Sequence, residues 1–368
     1  MKIPLLDLTA QYEAIAVEVD AAVREIVHSQ RFILGEPVER FEAAIAQLVG
    51  VDHAVGCGNG TDALLLALRV FDPEPGDEVV IPSFTFFATA GAVWNAGFRP
   101  VFCDVDPETF NVTAETVEAA WTERTRGTIP VHLFGQMVPM PEIRTLAKER
   151  GGFVIEDVAQ AIGSSQAREG GRVMAGAGGD AGAFSFFPTK NLGAFGDAGL
   201  ISTNDAELAS KLRMHGGAKM YHHDIVGTNS RLDALQAAVL SAKLPHLASW
   251  SGARQKNAAL YDDMLEDVAE VITPIVTDDN EHVYNQYTVR ARRRDGLSAY
   301  LSERGIGSGI YYPVPLHLQP CFEELDYRKG DLPVAEQLCA EVLSLPVFPE
   351  LGEERVRSVA DAIQKFYA

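Results

Sequence analysis

The stretch "SFFPTKNLGAFGDAGLI", residues Ser185 to Ile201, puts a lysine in an unusual setting. An apolar run that reads as a buried strand, Ala183 to Phe187, halts at Pro188, presents Lys190, and passes into a loop punctuated by Gly193, Gly196 and Gly199. An isolated lysine is ordinarily a solvated surface ammonium. Its meaning here depends on what the neighbouring segments supply.

From Ala54 to about Ile201, short apolar runs alternate with helical periodicity, the pattern of a mostly parallel sheet covered by helices. Seven segments read as strands: "HAVGC", "EVVIP", "RPVFCDV", "GTIPVHL", "GFVIED", "AGAFSFF" and "AGLISTN". Between them "TDALLLALRVF", "FATAGAVWNAG" and "MPEIRTLAKERG" read as helices, the last two stopping at Gly97 and Gly151. Beyond Arg231 the chain is strongly helical with one interruption at Pro245, where a large domain, 1–245, hands over to a smaller one, 246–368. The second domain carries strand candidates "YNQYTVRA" and "GSGIYY" and a closing helix "EERVRSVADAIQKFY", an α+β pattern.

Composition limits the partners. With 368 residues, 47% of them hydrophobic, the chain can bury a sizeable core, and no apolar run reaches the length of a membrane span. A formal net charge of -20 disfavours nucleic acid and anionic membranes, so an anionic ligand needs a locally basic pocket. The four cysteines are too scattered for a zinc site or a disulfide scaffold and read as reduced thiols. A cytoplasmic location is expected, and no metal.

Two further segments give Lys190 its context. In "GNGTDALLLAL", Gly58 and Gly60 lead from a strand into a helix that starts at Thr61 and Asp62, and free N–H groups at such a terminus suit a phosphate; Thr61 could equally serve only as a cap. In "VIEDVAQAIGS", Asp157 ends a buried strand, where a carboxylate needs a partner such as a protonated ring nitrogen; a helix N-cap is the other reading. Ser185 precedes Lys190 and could share the phosphate. Phosphate cup, carboxylate and lysine, in that order along one sheet, are the set that pyridoxal 5′-phosphate (PLP) requires.

With "IPSFTFFATA", "GTNSRLDALQAA" and "YYPVPLHLQP" added, the ordered motifs resemble the DegT/DnrJ/StrS family of sugar aminotransferases, fold type I of the PLP enzymes, over the whole chain. The resemblance implies that Lys190 holds PLP covalently and, once released by the amino donor, moves the substrate's proton. It implies that Asp157 keeps the pyridine nitrogen protonated, Gln160 bonds the phenolic oxygen, Phe86 stacks on the ring, and Ser185 with the backbone of Gly60, Thr61 and Asp62 holds the phosphate. Asn229 would reach the phosphate of a neighbouring subunit, making a homodimer with shared sites.

The segment "GGAKMYHHDIVGTNSR" gathers Lys219, His222, His223 and Arg231 in an otherwise acidic chain, as a nucleotide diphosphate needs. "YYPVPLHLQP" resembles members that aminate carbon 3 of a nucleotide-linked (dTDP or UDP) keto-hexose with L-glutamate as donor and 2-oxoglutarate as by-product. Tyr311 stands where those members usually carry histidine, so Tyr312 and His317 are the expected sugar contacts. The product would be an amino sugar for a surface polysaccharide, such as lipopolysaccharide O-antigen, or a glycoside. Amination at carbon 4, an aromatic-precursor aminotransferase, and a regulatory or sensory protein without turnover remain alternatives.

Overall fold

The computed structural model describes residues 2–204, 210, 213–217 and 221–368. Two N-terminal helices, α1 (Leu8–Ser29) and α2 (Glu36–Val49), precede a layered α/β unit. Its elements run β1 (His53–Cys57), α3 (Gly60–Arg69), β2 (Glu78–Pro82), α4 (Phe87–Ala96), β3 (Arg99–Cys103), α5 (Ala114–Ala120), β4 (Thr125–Thr128), α6 (Met140–Glu149) and β5 (Phe153–Asp157). A hairpin, β6 (Ser165–Arg168) and β7 (Gly171–Met174), leads to β8 (Ala181–Ser185) and β9 (Gly199–Thr203).

The seven-stranded sheet has the order β1-β9-β8-β5-β4-β2-β3. β8, β5, β4, β2 and β3 are parallel, and β9 alone runs against both of its neighbours. The expected mostly parallel sheet of seven strands is therefore present. Because β1 and β8 are both antiparallel to β9, they point the same way, and their carboxyl ends share one edge with those of β2 and β5.

Both faces of the sheet are covered, which is why its strands read as continuous apolar runs. Val79 and Ile81 face one core while Val80 faces the other; Ile155 and Val154 divide in the same way. β4 ends at Thr128, short of the segment expected from "GTIPVHL", because Pro130 has no N–H to continue a ladder.

Further along the chain come α7 (Ala234–Lys243), a short 3-10 turn at Leu244–His246 that accommodates Pro245, and α8 (Leu247–Leu265). A three-stranded antiparallel sheet follows, β10 (Val271–Ile272), β12 (Tyr287–Ala291) and β13 (Val342–Leu345), while the short β11 (Asn280–Glu281) joins the β6–β7 hairpin. With α9 (Arg294–Glu303), α10 (Pro333–Glu341) and α11 (Glu353–Tyr367) these strands build the C-terminal α+β region. Its core includes Tyr261, Tyr287, Leu343 and Ile363, and it also recruits Ile3, which bridges Ile306. The candidate strand "GSGIYY" is not a strand: only Gly309 pairs, in one bridge to Ser344, and the chain then runs irregularly towards the large sheet. No described helix is long and apolar enough to cross a membrane.

Candidate active site

Register explains how residues far apart in the chain meet. Cys57 lies opposite Gly199, and Gly199 opposite Ser185, so the ends of β1, β9 and β8 form one row at the edge of the sheet. α3 starts from that row. A Cβ at Gly60 would fall 2.6 Å from Cβ of Ser185, and one at Gly199 would collide with the carbonyl of Asn59. Glycine at both places lets the helix terminus close over the serine.

Asn59 caps α3: its Oδ1 accepts from Asp62 N–H at 2.9 Å and its carbonyl accepts from Ala63 N–H at 3.0 Å. Of the three backbone donors expected at the phosphate, Asp62 N–H is thus already engaged. Gly60 and Thr61 keep theirs at the open, positive end of the helix beside Ser185. The Asp62 carboxylate turns away to accept from Ser230 Oγ at 2.6 Å, and Ser230 Oγ accepts from Gly58 N–H at 3.0 Å. The "GTNSR" segment is thereby tied to the cup of its own chain.

Asp157 ends β5 and is only 5% exposed. Its Oδ2 accepts from the Thr89 hydroxyl at 2.8 Å and its Oδ1 from Ala159 N–H at 3.1 Å. Burial pushes its pKa up from the ordinary carboxylate value; the two hydrogen bonds and the nearby Lys190 ammonium act in the opposite direction. Lys190 is partly buried, with its backbone N–H bound to the Phe187 carbonyl at 2.9 Å. Burial lowers its pKa and Asp157 opposes that. A buried acid short of positive charge and an amine biased toward its neutral form stand on one edge of the sheet.

Gln160 is held so that its polarity is unambiguous. Oε1 accepts from Phe134 N–H at 2.7 Å, which leaves the amide NH₂ to point elsewhere, with Tyr312 Oη at 3.4 Å. Phe86, the residue before α4, is 57% exposed, and its ring centre lies 6.0 Å from that of Tyr312. An aromatic face, an amide donor, an anion cup, a buried carboxylate and an amine are the groups that a phosphorylated pyridine aldehyde needs. The close approach of the α3 terminus to Ser185, which a Cβ at Gly60 would block, sets backbone N–H groups and a hydroxyl side by side as its phosphate needs.

Three supporting residues escaped the sequence reading. Thr89 orients Asp157, as described. Glu156, fully buried, accepts from the N–H groups of Gly176, Gly178 and Gly179, and its Oε2 lies 2.8 Å from His132 Nε2. Since His132 Nδ1 accepts from Val138 N–H at 3.2 Å, the Nε2 proton donates to Glu156. The ring is fixed beneath Asp157, whose carbonyl accepts from His132 N–H at 3.1 Å.

The expected substrate contacts fare unevenly. Lys219 lies outside the described residues. His222 is 74% exposed at its side chain and stands 3.3 Å from Asp224, and His223 bonds the His215 carbonyl, so the two histidines do not converge on the Asp157–Lys190 centre. Asn229 is exposed and bridges Met214; Arg231 is partly buried and makes no ion pair among the described residues. Tyr312 reaches Gln160 and Phe86. His317 is 2% exposed, and its ring nitrogens face Ser83 and Glu336.

Relatives accord with this geometry. A model of the DegT/DnrJ/EryC1/StrS aminotransferase family matches residues 13–364. The chain is 51% identical, over all of its length and 99% of the relative, to a pleiotropic regulatory protein of Geobacillus stearothermophilus. It is 45% identical, over 99% of its length and 97% of the relative, to UDP-N-acetyl-3-dehydro-alpha-D-glucosamine 3-aminotransferase of Acidithiobacillus ferrooxidans. The crystal structure of S. venezuelae DesV in complex with a ketimine intermediate superposes with a TM-score of 0.96 at 42% identity, covering 100% of this chain and 98% of that one. The chain belongs to the DegT/DnrJ/EryC1/StrS aminotransferase family, whose cofactor is PLP.

Proposed function

We propose that this aminotransferase moves an amino group from L-glutamate to the carbon 3 ketone of a dTDP- or UDP-linked hexose, as a cytoplasmic homodimer with shared sites. The observation that carries the chemistry is the meeting of Lys190, Asp157 and the Gly60–Ser185 cradle on one sheet edge. Bound PLP supplies a sink for the electron pair left when a carbon–hydrogen bond next to nitrogen breaks. Lys190, which burial biases toward its neutral form, would take the proton from the α-carbon of glutamate and deliver a proton to carbon 3 of the sugar in the second half-reaction. Asp157 holds positive charge on the ring nitrogen, and the Gln160 amide donates to the phenolic oxygen. Phe86 covers one face of the ring. Gly60 and Thr61 N–H with the Ser185 hydroxyl hold the phosphate.

The 3-aminotransferase relative and the "YYPVPLHLQP" segment support carbon 3 over carbon 4. Arg231, partly buried and without an ion pair among the described residues, supports the diphosphate assignment. Exposed apolar side chains, among them Phe32, Ile33, Phe187 and Phe195, support a subunit interface. Residues 1–245 would form the large unit and 246–368 the small one. The product would be an amino sugar for a surface polysaccharide or a glycoside.

The relative named as a pleiotropic regulator favours a second reading, a protein that binds ligand without turnover. One assay separates the two. Purified protein is offered 3-keto and 4-keto nucleotide sugars with L-glutamate, and the aminated carbon is located by NMR. Amination at carbon 3 is expected; amination at carbon 4 alone overturns the ring position, and no amination of any nucleotide sugar moves the weight to the regulatory reading.

A further inference from the structure

Ser83 and His317, both buried, and the partly buried Glu336 form a chain beside the site that no step above uses. Ser83 follows β2 directly, and its Oγ lies 2.6 Å from His317 Nδ1. His317 Nε2 lies 3.3 Å from Glu336 Oε1 on α10. A carboxylate only accepts, so the Nε2 proton belongs to that contact, and the Ser83 hydroxyl donates to the bare Nδ1. The same serine oxygen receives His317 N–H at 3.3 Å, while the Ser83 carbonyl receives Leu316 N–H at 2.9 Å. Ser83 is wholly buried, so it is no nucleophile for an incoming substrate.

Both ends of the chain are anchored to the large sheet. Ser83 N–H bonds the Cys103 carbonyl at 2.9 Å. Asp104, just past β3, accepts from Val334 and Ala335 N–H at 2.9 and 2.7 Å, which fixes the start of α10 and with it Glu336. His317 therefore docks the irregular segment 312–317 between two fixed points. Tyr312 begins that segment. Its ring packs at 6.4 Å from Phe84 and 6.0 Å from Phe86, the residues that follow Ser83 in the chain, and its hydroxyl faces Gln160.

We propose that Ser83, His317 and Glu336 are positioning residues that set Tyr312 as a wall for the keto-sugar, and that they act on the sugar half-reaction rather than on the glutamate half-reaction. The inference rests on the nucleotide-sugar reading above. Asp157, Lys190, Ser185 and the α3 terminus make no bond to the chain of three, and Gln160 and Phe86 meet it only by way of Tyr312. Loss of the hydrogen bond therefore disturbs the segment that receives the sugar and leaves the glutamate chemistry in place.

The test uses the PLP-loaded enzyme and the variants Ser83→Ala, His317→Asn and Tyr312→Phe, with each half-reaction followed separately by the cofactor's absorbance. In Ser83→Ala the glutamate half-reaction should stay within about twofold of wild type while KM for the keto-sugar rises or its rate falls by about tenfold. Ser83→Ala combined with Tyr312→Phe should cost clearly less than the product of the single effects, because both act through one wall. His317→Asn, whose side-chain oxygen can still accept from Ser83, should retain more sugar activity than His317→Ala. If His317 variants do not fold, Ser83→Ala and the double variant decide the matter. Equal losses in both half-reactions, or independent effects of Ser83 and Tyr312, overturn the inference. Wild-type enzyme that aminates no nucleotide sugar overturns the underlying reading instead.

Discussion

Burial of Asp157 opposes its charged form, and its two hydrogen bonds and the nearby Lys190 offset that only in part. Its pKa in the folded chain lies above the unfolded value of 3.8, so folding favours the protonated acid. The stability that Asp157 contributes without PLP is therefore fully present below that unfolded value and is lost as pH rises through the raised folded pKa. Asp157→Asn keeps the shape and removes the charge. Without cofactor at pH 7, the variant should melt higher than wild type. With PLP, its turnover should fall by about two orders of magnitude or more, since the charge on the ring nitrogen is lost. Melting curves with and without PLP, paired with a glutamate half-reaction, check both signs; near-normal turnover would place the acid elsewhere. Asp157 and Lys190 could be found in the sequence because an ionisable residue at the end of an apolar strand is conspicuous. His132 and Thr89 could not, because their roles depend on which backbone groups and strands the fold brings against them.

At the scale of elements, the parallel strands were readable because burial on both faces leaves an uninterrupted apolar run bounded by turn residues. β13 escaped, since "VLSL" continues directly from the end of α10 with no punctuation between them. The β6–β7 hairpin escaped too, its strands being polar and only partly covered. "GSGIYY" misled for the opposite reason: it has strand composition, but its role is to cross from the small sheet to the site. The start of α3 gives the sharpest test of the cup. In Gly60→Ala the new methyl must push Ser185 away, an overpacking cost of about 1–3 kcal/mol. PLP affinity, titrated by fluorescence quenching on cofactor-free protein, should weaken by about tenfold or more. Unchanged affinity would show that the phosphate does not sit at this terminus.

For the whole molecule, the proposed sharing of sites between subunits has a direct test in Asn229. It is exposed, yet its neighbour Ser230 is bonded to the cup of its own chain, so Asn229 is carried at the margin of one site and is free to serve another. A Lys190→Ala subunit and an Asn229→Ala subunit, mixed and allowed to exchange, should form dimers in which one site combines both lesions and the other has neither. About a quarter of wild-type activity should return, because half of the dimers are mixed and each of these has one intact site. No recovery despite exchange, followed by mass spectrometry of differently tagged subunits, would assign Asn229 to its own subunit.

The position of β9 between β1 and β8 also bears on how the protein is made. β1 leaves the ribosome early but finds no neighbour until β9 has been synthesised; at ordinary elongation rates the wait is on the order of ten seconds. During that interval its edge is unpaired, and half of the phosphate cup, Asn59 to Asp62, has nothing to close against. A nascent chain released before Thr203 could therefore neither seal its sheet nor retain the cofactor. With the phosphate held at that cup, as proposed, capture of PLP would wait for completion of the sheet, and vitamin supply during synthesis should influence yield after that point and not before it.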